Sequence, residues 1–393
     1  MASKTGVIVI GSGIGGLCCG GLLARGGQEV LVLEAHSKPG GAAHGFGKTY
    51  HYESGPSLWS GLGRWPSSNP LTQILRALGQ ELEVIEYRDW DVLFPEGHLR
   101  IGVGNADFEA VVQQLRGPGA VAEWQRFMQV LQPIAAAADA LPLLALRPGA
   151  DVMAQLLRRG GQLLPHLGAM RHLGGAFGPL VNQHLSDPFL RHWVDLLCFL
   201  ISGLPMEGTN AAAMATLFGQ WFEPDACLDF PKGGSKAVVM ALVRGLESHG
   251  GELRLRSRVR RVLLEGDRAI GVELESGEQI HAEHVVSNAD VWSTLKLLPD
   301  GVAQRWQRQR GATPACGSFL HLHLGFDATG LDDLPIHTVW VGDWERGITA
   351  ERNAVVVSIP SVLDPAMAPA GRHVLHAYTP VSYTHLTLPT TVS

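Results

Sequence analysis

Val7, Ile8, Val9 and Ile10 form an unbroken apolar, β-branched run, the pattern of a strand buried on both faces. It leads into Gly11-Ser12-Gly13-Ile14-Gly15-Gly16, then into a mainly apolar stretch that reads as a helix to about Ala24. A second apolar run, Val30 to Leu33, stops at Glu34. After that the pattern becomes mixed. Leu71 to Leu78 and Glu123 to Ile134 read as helices, and Pro95-Glu96-Gly97 marks a hairpin. Helices are expected to dominate from Ala154 to Leu204. The part from Phe189 is strongly apolar, broken only by Arg191, His192 and Asp195. That part reads as a buried core helix, or as a wall for an apolar ligand or a surface dipping into a bilayer. Ser235 is placed to cap a helix from Lys236 to Glu247. Strands are predicted at Leu253 to Leu255, Val259 to Leu264 and Ala269 to Leu274, the last two about a Gly266-Asp267 turn. His284 to Ser287 reads as a further apolar strand, passing into Asn288-Ala289-Asp290. Ser318 to Phe326 alternates like a strand and sets His321 and His323 on one face.

Strand, glycines, helix, strand and terminal acid, in that order, form a βαβ unit that holds a dinucleotide. Gly11 allows the tight turn, Gly13 lets backbone amides approach a pyrophosphate, and Gly16 lets the helix pack on the strand. The helix N-terminus offers free N–H groups and the positive dipole end to the phosphates. Glu34 can accept both ribose hydroxyls and would repel a 2′-phosphate, so NADP fits poorly. NAD and FAD are not separated by this unit. Pro39-Gly40-Gly41-Ala42-Ala43-His44 lets backbone pass a bulky cofactor, although a plain loop has the same look.

Composition narrows the choice. With 393 residues the chain is long enough for two or three domains and is no small disulfide scaffold. Charged residues are 17% and hydrophobic ones 46%, so apolar surface patches are expected. A net charge of −6 without a basic run argues against nucleic acid as a partner. Five scattered cysteines without a CxxC spacing read as reduced, mostly buried thiols, which disfavours the disulfide reductases with a similar N-terminus. Gly6 to Ala24 is uncharged enough to pass for a signal peptide or a spanning helix. Its seven glycines argue against both, each costing about 0.8–1 kcal/mol in a helix relative to Ala. His321 and His323 lack a nearby ligand cluster and read as solvated or hydrogen-bonded, so no metal is expected. No HExxH or GxSxG motif supports a zinc protease or a lipase.

From Val7 through Gly41 to Tyr52-Glu53-Ser54-Gly55-Pro56-Ser57, and again from Pro231 to Thr294, the chain resembles the carotenoid and retinoid oxidoreductases: phytoene desaturases, carotenoid isomerases and retinol saturases. The resemblance implies an α/β fold, with a discontinuous FAD-binding Rossmann-like domain of the GR2 type and an α+β substrate domain. It implies that residues 1–88 and 226–299 form the FAD domain and that 89–225 and 300–379 form the substrate domain. It implies FAD as cofactor, with binding roles on Gly11, Ser12, Gly13, Ile14, Gly15, Gly16, Glu34, Ala35, Gly40 and Gly41. Val259 is the matching valine that meets the adenine through its backbone, and Ser287 and Asn288 pass near the cofactor. The resemblance assigns no catalytic residue here. The Ser54 to Ser57 turn is expected to border the site.

The family's final segment, a second glycine-containing turn at the flavin, is not matched. The C-terminal part of the FAD domain is therefore expected to be missing, and Pro380 to Ser393 reads as an artefactual tail. The implied partner is an apolar polyene, with peripheral membrane contact and no metal. The look of the Pro39 to Pro56 and Pro231 to Asn288 segments favours the isomerase or saturase branch. An amine-oxidase-like flavoenzyme and a non-catalytic Rossmann fragment are the competing readings. Six residues precede the first strand, so a cytoplasmic, loosely membrane-bound protein fits, as does a plastid precursor lacking its start.

Overall fold

A computed structural model describes residues 4–55, 57–141, 154, 158, 160–299, 301–302 and 304–381. Pro56, most of the stretch from 142 to 159, and 382–393 lie outside the described residues, and with them part of the expected helical region and most of the expected tail. Sixteen strands are described: β1 Lys4–Ile10, β2 Val30–Leu33, β3 Gly45–Phe46, β4 Tyr52–Glu53, β5 Val84–Tyr87, β6 Asp89–Phe94, β7 Gly97–Gly102, β8 Leu228–Pro231, β9 Glu252–Arg254, β10 Val259–Glu265, β11 Arg268–Leu274, β12 Gln279–Ser287, β13 Ser318–Asp327, β14 His337–Val341, β15 Ala354–Ser358 and β16 Arg372–Val381.

The first sheet runs β10-β11-β12-β1-β2-β9. β12, β1, β2 and β9 are parallel, and β10 and β11 add an antiparallel edge. Val7 to Ile10 and Val30 to Leu33 are all buried, as unbroken apolar runs require of central parallel strands. One face is covered by the helices Ile14–Arg25 and Ser235–Ser248, whose Leu17, Val239, Leu242 and Leu246 pack with Val7, Val9, Val30 and Val32. On the other face Ile8, Ile10, Leu31 and Leu33 meet Val259, Val262, Val272 and Ile280.

The second sheet runs β13-β16-β15-β14-β6-β7, antiparallel except where β14 meets β6. One face carries the largest core, in which Trp90, Val92, Val339 and Val356 meet the helices Pro118–Ala140, Phe177–His184, Pro188–Ser202 and Ala211–Trp221. The helix Pro188–Ser202 starts where Asp187 accepts a hydrogen bond from the Leu190 amide (3.2 Å) beside Pro188, and Gly203 in the left-handed region ends it. Its Phe189, Trp193, Leu197 and Phe199 are at most 3% exposed, which is the core-helix reading of that apolar stretch. Each such burial contributes about 1.5–3 kcal/mol. Between the sheets, β5 pairs with β8 from Val84↔Pro231 to Tyr87↔Leu228.

The structure corrects the expected cap at Ser235. Gly234 holds the N-cap position, and the Ser235 hydroxyl instead donates to Glu53 Oε1 at 2.7 Å. β16 continues to Val381, with Pro380 buried opposite Phe319, so ordered strand extends two residues past the expected boundary at 379. All five cysteines are free. Cys18 and Cys198 are buried, Cys19 and Cys227 half-buried, and Cys316 exposed.

Candidate functional site

β1 delivers the chain to Gly11, whose φ of +94° only glycine adopts without strain. The Gly11 amide donates to the Leu33 carbonyl and the Asn288 amide to the Ile10 carbonyl, both at 2.8 Å, so the turn is tied to the ends of both neighbouring strands. A Cβ on Gly16 would lie 2.1 Å from the Gly11 carbonyl oxygen and 3.1 Å from the Asn288 Cβ. The first helix can therefore approach β1 only with glycine at that position. Gly13, its N-cap, and Gly15 press on the Asn288 carboxamide, at 3.0 and 2.7 Å for added Cβ atoms.

Gly11 and Gly13 line a cavity of about 400 Å3 with Ile14, Glu34, Gly40, Gly41, Ala42, Ala43 and Asn288. The Gly40 amide donates to the Ser12 carbonyl at 3.0 Å, and Gly40 has a φ of +117°, so the second glycine loop is folded onto the first. Glu34 stands at the end of β2. Its Oε2 accepts from the Ser12 amide (2.9 Å) and hydroxyl (2.6 Å), and its Oε1 from the His36 amide (2.8 Å). Burial pushes this carboxyl up. The Ser12 hydroxyl, with the His36 and Ser12 amides, outweighs that and holds it below the ordinary glutamate range, leaving an ionised acid at the mouth of the cavity.

The expected site residues thus divide. Gly11, Gly13, Ile14, Glu34, Gly40, Gly41 and Asn288 line one cavity, Ser12 and Gly16 shape it from behind, and Gly15 packs on Asn288. Ala35 is exposed beyond Glu34. The Ser287 hydroxyl pairs with Thr294 Oγ1 at 2.8 Å, and Val259 lies in the core with Leu33, so neither side chain lines the cavity. Residues without a motif flank Glu34: its amide donates to the Arg254 carbonyl (2.9 Å), and the Ser257 amide donates to its carbonyl (2.7 Å). Only the parallel pairing of β2 with β9 could have pointed to them. A larger groove of about 730 Å3, bordered by Val7, Leu23, Arg268 and His284, contains none of the expected site residues.

A chain of aromatic and imidazole rings leads from the second glycine loop into the other sheet. His44 meets Phe46 (6.1 Å between centroids), Phe46 meets His323 (4.9 Å), His323 meets His376 (4.6 Å) and His376 meets His321 (5.1 Å). It continues through Tyr378 (5.7 Å), Phe319 (5.5 Å) and Phe199 (5.8 Å) of the apolar helix. Burial lowers the basicity of His321, His323 and His376, that of His376 to about 3, so these three imidazoles are neutral at physiological pH. The reading of His321 and His323 as a pair without a third ligand is corrected here: His376 pairs directly with His323 across β13 and β16. His376 Nε2 lies 2.9 Å from His321 Nδ1, while the buried Nδ1 atoms of His323 and His376 have no partner.

Beside the rings a polar row crosses the same sheet. Tyr87 hydroxyl to His337 Nε2 is 2.6 Å, His337 Nδ1 to Ser358 Oγ 2.8 Å, and Ser358 Oγ donates to Ser57 Oγ at 3.2 Å. One set of protons fits all three bonds: Tyr87 donates to Nε2, Nδ1–H donates to Ser358, and Ser358 donates to Ser57. Full burial holds His337 down at about 3 and raises Tyr87, which keeps that neutral arrangement. The Ser54 to Ser57 turn is therefore anchored to the second sheet through Ser57 and to the glycine loop through Ser54, whose hydroxyl donates to the Ala42 carbonyl at 2.8 Å.

A family model described as flavin containing amine oxidoreductase matches residues 14–391. The chain belongs to this family. Its FAD is the group that the cavity must suit, and the residues present fit: Gly11 and Gly16, which no larger side chain could replace without strain, an ionised carboxylate at the end of β2, and a helix N-terminus opening on the cavity. Among curated relatives, prolycopene isomerase 1, chloroplastic, of an Oncidium hybrid cultivar is 29% identical over 390 residues, covering 96% of this chain and 64% of that protein. Phytoene desaturase (neurosporene-forming) of Cereibacter sphaeroides is 26% identical over 401 residues, covering 96% and 73%. The chain thus spans less than two thirds of the length of that prolycopene isomerase. Among solved structures, putrescine oxidase bound to putrescine superposes with a TM-score of 0.65 at 16% identity, covering 96% of this chain and 76% of the other, a likeness of fold.

Proposed function

We propose that this flavoprotein acts on an apolar conjugated polyene, as a carotenoid isomerase, desaturase or saturase does, and that it belongs to the isomerase or saturase branch. The observation that carries the reading is the run of aromatic and imidazole rings from His44 to Phe199, which leads away from the cofactor cavity and offers dispersion and π contacts along a path. A polyene matches such a path. The nearby Glu53 is buried, and its Oε1 accepts from the Ser235 amide and hydroxyl, both at 2.7 Å, while its Oε2 is buried without a partner. The relatives that cover almost the whole chain also carry polyene names.

In this reading Gly11, Ser12, Gly13, Ile14, Gly15 and Gly16 hold the FAD diphosphate, and Glu34 turns from Ser12 toward the ribose. Gly40 and Gly41 pass the flavin end, with Asn288 backing the loop and Ala35, Val259 and Ser287 contributing backbone. When bound, FAD supplies the redox chemistry, and the protein's part is to align the polyene and exclude water. No catalytic acid or base is assigned. Among the described residues no helix is long and apolar enough to cross a membrane. Peripheral contact is part of the proposal, because Leu320, Leu322, Leu324 and Trp340 stand 43–54% exposed on the face of the second sheet turned away from its helices.

The test is to supply the FAD-loaded, anaerobically reduced protein with a poly-cis carotenoid and separate the products by chromatography. Conversion to the all-trans isomer, or a gain of hydrogen in the product, is expected. Hydrogen peroxide formed in air from a diamine, with the polyene unchanged, would overturn the reading.

A further inference from the structure

We propose that His321, His323 and His376 form a binding site for one divalent transition-metal ion of the zinc type. The backbone builds this site. His321 and His323 are two apart on β13, so strand alternation turns both to one face, and the antiparallel register sets His376 of β16 directly across from His323. Candidate ligand nitrogens of the three residues all lie within 4.8 Å of one another. Two histidines two apart on a strand with a third on its neighbour is a geometry in which three imidazoles can converge on one cation.

A separate observation supports a ligand there. His376 is 4% exposed, and its Nδ1, like that of His323, is buried without a hydrogen-bond partner. Ligation through those nitrogens supplies the partner they lack. Burial also keeps the imidazoles neutral, the state in which they offer a lone pair to a metal. Coordination at about 2.0–2.1 Å in tetrahedral geometry sets two nitrogens about 3.3 Å apart, inside the 4.8 Å that spans the candidate nitrogens here. The rings now stack within 18° of parallel, and a shared ion lies in the plane of each ring, so binding requires them to turn about their soft χ2 torsions.

The donor set fixes the class of ion. Three imidazoles without a carboxylate or thiolate suit zinc, copper, nickel or iron, not magnesium or calcium. His321 is exposed, which leaves a coordination position toward solvent for water or an exogenous ligand, the form of an open site. In a second group, Glu86, Cys227 and Asp229, Arg64 already grips both Glu86 oxygens at 2.7 and 2.8 Å and Asp229 Oδ2 accepts from the Leu62 amide at 2.6 Å, which leaves Asp229 Oδ1 unpartnered but Glu86 taken.

The experiment is a Co2+ titration of the chelator-treated, FAD-loaded full chain, followed by visible absorbance, then displacement with Zn2+. One Co2+ per chain, with the strong visible bands of a low-coordinate nitrogen site, is expected. His321→Ala and His376→Asn should each weaken binding by roughly tenfold or more. His321→Ala also removes the partner of the buried His376 Nε2, so it is expected to lower the metal-free melting temperature somewhat, and Zn2+ should raise the melting temperature of the wild type but not that of the variant. Absence of Co2+ binding, binding unchanged in His321→Ala, or a thiolate charge-transfer band that disappears in Cys227→Ser would each overturn the proposal.

Discussion

Replacing Gly16 and Gly13 singly by alanine separates what the glycine turn does for the fold from what it does for the cofactor. At Gly16 the new methyl would sit 2.1 Å from the Gly11 carbonyl oxygen, an atom fixed by the hydrogen bond from the Gly11 amide to Leu33. No side chain can swing aside to relieve that contact, so the first helix must lift off β1. Overpacking of this kind costs about 1–3 kcal/mol, and with backbone on the opposing side the upper end applies. Three kcal/mol corresponds to roughly a hundredfold in an equilibrium constant. At Gly13 the backbone is at φ −60°, open to any residue, and the nearest atom is the end of the Asn288 side chain at 3.0 Å. Gly13→Ala is therefore expected to cost less than about 1 kcal/mol of fold stability. Its methyl would still stand where diphosphate oxygens approach the backbone, which is expected to cost FAD roughly tenfold or more in affinity. Urea unfolding of the flavin-free chain, with FAD affinity read by flavin fluorescence, separates the two. Wild-type stability and affinity in Gly16→Ala would refute the reasoning, as would Gly13→Ala that unfolds as readily as Gly16→Ala.

Three further outcomes follow from buried polar groups. Asp195, which accepts from the Met206 amide at 2.8 Å, is raised by burial to about 6. A raised carboxyl contributes its stability below the ordinary aspartate value near 4 and loses it as pH rises through about 6. Asp195→Asn is thus expected to stabilise the protein by about 1–3 kcal/mol at pH 8 and to change little at pH 4, checked by melting at both values. Tyr87→Phe leaves the fully buried His337 Nε2 without its partner and is expected to cost about 1–3 kcal/mol in urea unfolding, with Ser57→Ala, at the far end of the row, costing less. Glu34→Gln removes the charge that accepts from Ser12 and His36. Because this carboxyl is lowered, its contribution is present above the ordinary glutamate value near 4 and fades as pH falls through the lowered one, so wild-type and variant stabilities are expected to differ at pH 7 and to draw together as the pH falls into the acid range.

What was legible in the sequence was local. The run from Val7 to Glu34 carries its own strand, turn, helix and acid within a single βαβ unit, and four of its expected residues, Gly11, Gly13, Ile14 and Glu34, line the cavity because their spacing alone brings them together. Asn288 was legible because a parallel strand ending in small polar residues next to β1 must reach the same turn. The hidden parts depended on distant register. His376 lies 55 residues beyond His321, and only the pairing of β13 with β16 places it in the cluster. Glu53 took the hydroxyl of Ser235, which its sequence position had offered to a helix cap, because the β4 turn lies directly under that helix start. The ring path from His44 to Phe199 likewise joins residues from β3, β13, β16 and one helix, which no periodicity reports.

The most direct test of the account is an absorbance titration of the purified chain, first with FAD and then with a poly-cis carotenoid. The account predicts one bound flavin per chain and a shift of the flavin bands on adding the polyene. A chain that takes up NAD and no flavin, or a bound flavin that responds to a diamine and not to the polyene, would contradict it.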